Sequence, residues 1–166
     1  MMNAKMLGQL LDRHETALAL YARQWCHIAE DVVQEAFVQL LKQKTVPNDP
    51  AAWLFRVVRN QAISAARSNR RRSERESRFA RERPIWFEDG STSDLDADEV
   101  ARVLEGLPLE MREIIVAHLW GGLTFEQIVE ISGGSSSTAH RRYAEGLSLL
   151  RERLNSECLN EKKLPS

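Results

Sequence analysis

The stretch Ala29-Glu-Asp-Val-Val-Gln-Glu-Ala-Phe-Val-Gln-Leu-Leu41 carries the cleanest helical pattern in the chain. Its small or apolar positions, Ala29, Val32, Val33, Ala36, Phe37, Leu40 and Leu41, keep i, i+3, i+4 order, which gathers them into one buried stripe. Glu30, Asp31, Gln34, Glu35 and Gln39 fall on the opposite face. Both flanks also read as helix. Upstream, Met6 to Trp25 repeats apolar residues at roughly helical spacing. Downstream, Val-Pro-Asn-Asp-Pro (46–50) breaks the chain, with Asp49 a natural N-cap and Pro50 a natural first helical residue. From Pro50 a long helix is expected to about Arg72, apolar at its start and arginine-rich at its end.

Residues 73–96 lose the periodicity and read as a linker, with Pro84, the Glu-Asp-Gly-Ser-Thr-Ser-Asp run at 88–94, and an apolar patch at Ile85, Trp86 and Phe87. The second half holds shorter helices. Leu95 to Leu104 is the first, and Pro108 opens the second, which stops at Gly121-Gly122. Thr124 with Gln127 forms a capping box for a helix through Ile131. Ser132-Gly133-Gly134-Ser135 makes a tight turn, and the last helix runs from near Ser136 to about Leu154. A short helix, a glycine-containing turn and a helix with polar residues at its start form a helix-turn-helix signature. No strand alternation and no internal repeat are present. The fold expected is all-α: two small helical domains joined by a linker.

The 166 residues suit one ordinary domain or two small ones, and 43% hydrophobic with 28% charged residues is globular composition. No run of apolar residues is long enough for a membrane span, and Met1 to Leu11 lacks the pattern of a signal peptide. Two cysteines, Cys26 and Cys158, are too few for a disulfide framework or a zinc knuckle. A cytoplasmic protein is expected. The net charge of −1 conceals an asymmetry: residues 51–83 carry ten arginines against three glutamates, and residues 84–113 two arginines against nine acids. Blocks of opposite sign suggest a polyanion-binding surface with an acidic segment able to lie against it.

Arg56, Asn60, Ser64, Arg67 and Arg71 recur every three or four residues and share a polar helix face, flanked by Arg59, Arg70 and Arg72. Arginine forks near an amide and the rings of Trp53 and Phe55 suit a separated nucleic-acid strand. The bland alternative is a solvated charged face with both rings in the core. In the helix-turn-helix, Ser136, Ser137, Thr138, His140, Arg141 and Arg142 occupy the turns that would enter a major groove; the alternative is an ordinary helical hairpin. Taken alone, the acidic-amide face of residues 30–35 is best read as solvated surface. His14, His27, His118 and His140 are scattered and no Gly-rich phosphate loop occurs, so neither an enzyme nor a metal or cofactor is expected.

In this order, the pieces resemble the extracytoplasmic-function (ECF) sigma factors of bacterial RNA polymerase. The segment 29–41 resembles the core-binding helix of sigma region two. Ala52-Trp-Leu-Phe-Arg-Val-Val-Arg-Asn-Gln-Ala-Ile63 with the following arginines resembles the helix that handles the −10 element. Leu107-Pro-Leu-Glu-Met-Arg-Glu-Ile-Ile-Val116 and Gly122-Leu-Thr-Phe-Glu-Gln-Ile-Val-Glu-Ile131 resemble the opening of region four. The resemblance implies a region-two domain over 1–72, a linker over 73–96, a region-four domain over 97–156 and a tail over 157–166. It implies that Asp31, Gln34 and Glu35 touch the clamp helices of the polymerase β′ subunit. Arg56, Arg59, Asn60, Arg67, Arg70 and Arg71 would then contact the −10 element, and Ser137, Thr138, His140, Arg141 and Arg142 the −35 element. Core polymerase, including its β flap, promoter DNA and an anti-sigma factor would be the partners of a protein that is monomeric when free.

Several positions depart from the family pattern. Ser64 stands where an aspartate is usual, Gly134 and Ser136 where the turn is more apolar, and the stretch between Trp25 and Ala29 is short. The last helix is usually more basic than Glu145-Gly146-Leu147-Ser148, and Gly146 inside it is expected to cost about 1 kcal/mol relative to alanine. With these departures together, −35 recognition is expected to be weak or atypical. Trp86 and the acidic segment 88–99 are expected to dock on domain surfaces in the free protein, hiding the arginine face. Two other readings stay open: a stand-alone helix-turn-helix regulator, for which the Asp31-Gln34-Glu35 face has no use, and a sigma-like interaction module without promoter activity.

Overall fold

A computed structural model describes the backbone of residues 1–76 and 102–161 and the side chains of 1–75 and 102–156. The chain divides into two compact units, Met1–Gly90 and Ser91–Ser166. No strand occurs among the described residues.

In the first unit, helices α1 (Ala4–Ala22), α2 (Ala29–Leu41) and α3 (Pro50–Glu76) pack pairwise against one another. Asn3 caps α1, its Oδ1 accepting the Met6 N–H at 2.8 Å. Asp49 does the same for α3, accepting from the Ala52 N–H at 3.0 Å. The stripe read from the sequence is the buried one: Val32, Val33, Ala36, Phe37 and Leu40 of α2 are buried, as are Leu18 and Tyr21 of α1 and Leu54, Phe55 and Val58 of α3, where the three helices pack together. Leu41 alone leaves the stripe and is exposed. Helix α1 ends at Ala22 rather than Trp25. The Gln24 and Trp25 N–H groups turn back to the Tyr21 and Ala22 carbonyls, which swings the Trp25 ring edge-on to Tyr21 at 5.0 Å. Tyr21 in turn meets the Phe55 ring at 5.0 Å, so three aromatic rings close this end of the unit.

In the second unit, residues 102–105 are helical, followed by α4 (Leu109–Ile115), α5 (Phe125–Ser132) and α6 (Ser136–Glu161). Pro108 is the N-cap of α4 rather than its first helical residue. Beyond Ile115 the helix widens into a π turn, Val116–Trp120, closed by the Gly121 N–H on the Val116 carbonyl at 3.0 Å. The Thr124–Gln127 capping box is present in both directions, at 3.2 and 2.9 Å. The turn between α5 and α6 needs its glycines, because Gly133 and Gly134 take φ of 88° and 91°. Ser135 then caps α6 by accepting the Thr138 N–H at 3.2 Å.

The expected weakness at Gly146 is corrected by the packing. Gly146 is buried where α6 crosses α4, and a Cβ there would stand 2.7 Å from Ile115 Cδ1. The missing side chain is what lets the two helices approach. Helices α3 and α6 also run past their expected ends at Arg72 and Leu154, to Glu76 and Glu161. The expected linker contacts of Trp86 and residues 88–99, and most of the expected helix Leu95–Leu104, lie outside the described residues.

Candidate functional site

On α2, Glu30, Asp31, Gln34 and Glu35 are all exposed, while Phe37 and Leu40 hold the helix from behind. They do not form one uniform row. Glu30 Oε1 accepts a hydrogen bond from Arg23 Nη2 at 2.7 Å, and this holds its carboxyl below the ordinary value. Asp31 and Glu35, one turn apart, instead line an open groove with Ile28 and Val32, and the far wall comes from Gln61, Ser64 and Ala65 of α3. Glu35 Oε1 accepts only a long hydrogen bond from Gln39 Nε2, at 3.4 Å. Two carboxylates over an apolar floor suit a cationic side chain with an aliphatic stem. Gln34 lies on the same exposed side but outside the groove lining.

On α3, Arg56, Asn60, Ser64, Arg67, Arg70, Arg71 and Arg72 are exposed, so the helix holds the recurring residues of the polar face on one solvent-facing surface. Arg59 differs. It is half-buried, and its guanidinium lies 5.6 Å from the centre of the Trp25 ring, a cation–π distance. Phe55 belongs to the core and Trp53 is half-buried. The aromatic neighbour of an arginine on this surface is therefore Trp25, from a different helix end than the sequence suggested.

On α6, Ser137, His140 and Arg141 are exposed. Thr138 is half-buried and engaged in the cap, where its Oγ1 also accepts from the Ser135 hydroxyl at 2.9 Å. Arg142 Nη2 stands 3.9 Å from Glu110 Oε2 of α4, a loose and exposed pair. The His140 ring lies 4.7 Å from that of Phe125, a residue that no sequence pattern linked to it. Cys26 is unsuited to nucleophilic chemistry, since burial pushes its thiol pKa up and its Sγ–H points to the Ala22 carbonyl at 3.6 Å. Among the described residues no group of three His, Cys, Asp or Glu could hold a metal ion, and no helix is long and apolar enough to cross a membrane.

The family model of Sigma-70 region 2 matches residues 10–72, and that of Sigma-70 region 4 matches residues 97–150. The ECF RNA polymerase sigma factor SigK of Mycobacterium ulcerans is 26% identical over 136 residues, spanning 77% of this chain and 73% of the relative. The chain belongs to the ECF sigma factors.

RNA polymerase sigma factor SigV of Bacillus subtilis is a further relative of this sigma factor, 26% identical over 136 residues and spanning 80% of the chain and 79% of SigV. Among solved structures, the sigma factor RpoE of Bartonella quintana in complex with the anti-sigma factor NepR superposes with a TM-score of 0.70 at 24% identity, covering 92% of this chain and 98% of RpoE. CnrH in complex with the cytosolic domain of CnrY gives a TM-score of 0.61 at 26% identity, covering 93% and 90%. The two-domain helical architecture of the sigma factor is thus shared with both.

Proposed function

We propose that this sigma factor binds core RNA polymerase through Asp31, Gln34 and Glu35 and directs it to promoters, which it helps to melt. The observation that carries the reading is the placement of two unlike surfaces on one three-helix unit. An acidic groove between α2 and α3 suits a basic helix of the β′ clamp, and the arginine-asparagine face of α3 suits a separated DNA strand. In this reading Arg56, Asn60, Arg67, Arg70 and Arg71 grip the −10 element, and Arg59 supports it from its stack on Trp25. A factor that captures unpaired bases shifts the duplex toward the open state without covalent chemistry, so it is not an enzyme. In the second unit, Ser137, Thr138, His140, Arg141 and Arg142 meet the −35 element, and the exposed Leu119 and Trp120 serve the β flap. RpoE was captured with an anti-sigma factor and CnrH with the cytosolic domain of CnrY, which supports an anti-sigma partner here and regulation in the cytoplasm.

The test is transcription from fragmented host DNA by core polymerase with and without the protein, mapping RNA 5′ ends. New starts that share an upstream motif are expected. Glu35→Arg reverses the charge at the groove and should weaken core binding at least about 30-fold, the scale of an interface hot spot, with unchanged thermal unfolding because the site is exposed. Unchanged affinity for core would overturn the role of the groove.

A further inference from the structure

We infer that Phe125 is a specificity-positioning residue: it fixes the ring of His140 so that the recognition helix presents an imidazole edge to one base position. The inference rests on the proposed −35 reading of His140 and extends it to residues outside α6.

Four rings from three segments meet at the start of the helix-turn-helix. His118, in the π turn, stacks on Phe125 with centroids 4.3 Å apart and planes 18° apart. His140 approaches Phe125 from α6 at 4.7 Å and 39°. Tyr143, one residue short of a full turn further along α6, closes the cluster edge-on to His118 at 4.8 Å and to Phe125 at 5.4 Å. The far end of the stack is tied down as well. His118 Nδ1 lies 2.7 Å from the Leu123 carbonyl, and a carbonyl only accepts, so Nδ1 carries the proton. Leu123 itself bonds back into the widened turn, its N–H on the Ala117 carbonyl at 3.1 Å. The π turn therefore has a purpose beyond connection, as such turns often do: it sets His118 at the angle from which it braces Phe125.

The consequence falls on His140. It is exposed, and an exposed histidine at the start of a recognition helix would ordinarily sample several rotamers. With one side of the ring against Phe125, the ring edge with its two nitrogens is what remains for a base or a phosphate. An edge held at one angle reads one base position; a ring free to turn contacts many bases equally.

The experiment uses holoenzyme reconstituted from core polymerase and the full chain, challenged with a promoter library randomised across the upstream element. Transcripts are sequenced to give the base preference at each position. His140→Ala should flatten the preference at one position from about tenfold to near none, the scale of one good base contact. Phe125→Leu keeps apolar bulk but not the flat ring, and should flatten that same position while the others hold. Phe125→Tyr should restore it. If Phe125→Leu leaves the position intact where His140→Ala flattens it, the inference is overturned. Uniform weakening at all positions with a lower melting temperature would also overturn it, since Phe125 would then be only structural. If His140→Ala changes no position, the −35 reading of His140 itself fails, and the inference with it.

Discussion

Gly146→Ala is the exchange on which helix propensity and packing disagree in sign. On an exposed helix this substitution stabilises by about 1 kcal/mol, because glycine gives up more backbone freedom on folding. Here the new Cβ would meet Ile115 Cδ1 at 2.7 Å and Met111 Cβ at 3.4 Å. Carbon pairs are most favourable at about 3.5–4.0 Å, so the Ile115 methyl has to retreat by roughly an ångström. Ile115 is 0% exposed, so it retreats into packed neighbours rather than into water. Overpacking of that kind costs about 1–3 kcal/mol. Packing wins, and the net effect expected is a loss of about 1 kcal/mol in the second unit. Ile115→Val removes the clashing carbon, at about 0.5–1.5 kcal/mol on its own. In that background Gly146→Ala should turn stabilising by up to about 1 kcal/mol, a coupling near 2 kcal/mol across the pair. Native-state hydrogen exchange of the Ile114, Ile115, Val116 and Ala117 amides in the full chain reads these local free energies. Higher protection for Gly146→Ala in the wild-type background, or an additive cycle, would refute the close-approach reading.

Three further outcomes are expected. Thr124→Ala removes the hydroxyl that accepts the Gln127 N–H at 3.2 Å, leaving only the bond from the residue-124 backbone N–H to Gln127 Oε1, so it should lower stability to urea unfolding by about 1 kcal/mol, while Thr124→Ser should not. Glu30 has its pKa lowered first by the hydrogen bond from Arg23; the stability this adds is present above the ordinary value of 4.5 and lost as pH falls through the folded value, so Arg23→Gln should flatten the acid limb of a pH titration of unfolding. His14 has its pKa lowered by burial, with Nδ1 buried and unpaired, so the unfolded chain takes up the proton first; stability should begin to fall as pH drops through 6.5, and His14→Gln should reduce that dependence, as thermal melts between pH 7.5 and 5 would show.

Much of the fold was legible because helices announce themselves locally. The α2 stripe from Ala29 to Leu40, the Asp49-Pro50 start of α3 and the Thr124–Gln127 box each need only residues a few positions apart, and each is where the spacing places it. The end of α1 was missed because Trp25 fits the helical period, yet its ring does better against Tyr21 in a turn than on a continued helix. The exposed face of Arg56, Asn60, Arg67 and Arg71 also follows from one helix's geometry. The role of Arg59 does not, since its partner Trp25 lies on another segment. The groove had the same fate: Asp31 and Glu35 could be paired from their spacing, but Gln61, Ser64 and Ala65 joined them only when α3 packed alongside.

By itself the sequence determined what is periodic or adjacent: the helices, their caps, the glycine turn, the two blocks of charge and the family order of the motifs. Tertiary structure alone decided what depends on two segments meeting. It turned Gly146 from a flaw in one helix into the contact between two, and it brought His118, Phe125 and His140 from three segments into one stack. The physical reason is that propensity and hydrogen bonding within a helix act over about four residues, whereas steric fit between helices depends on which faces the core brings together.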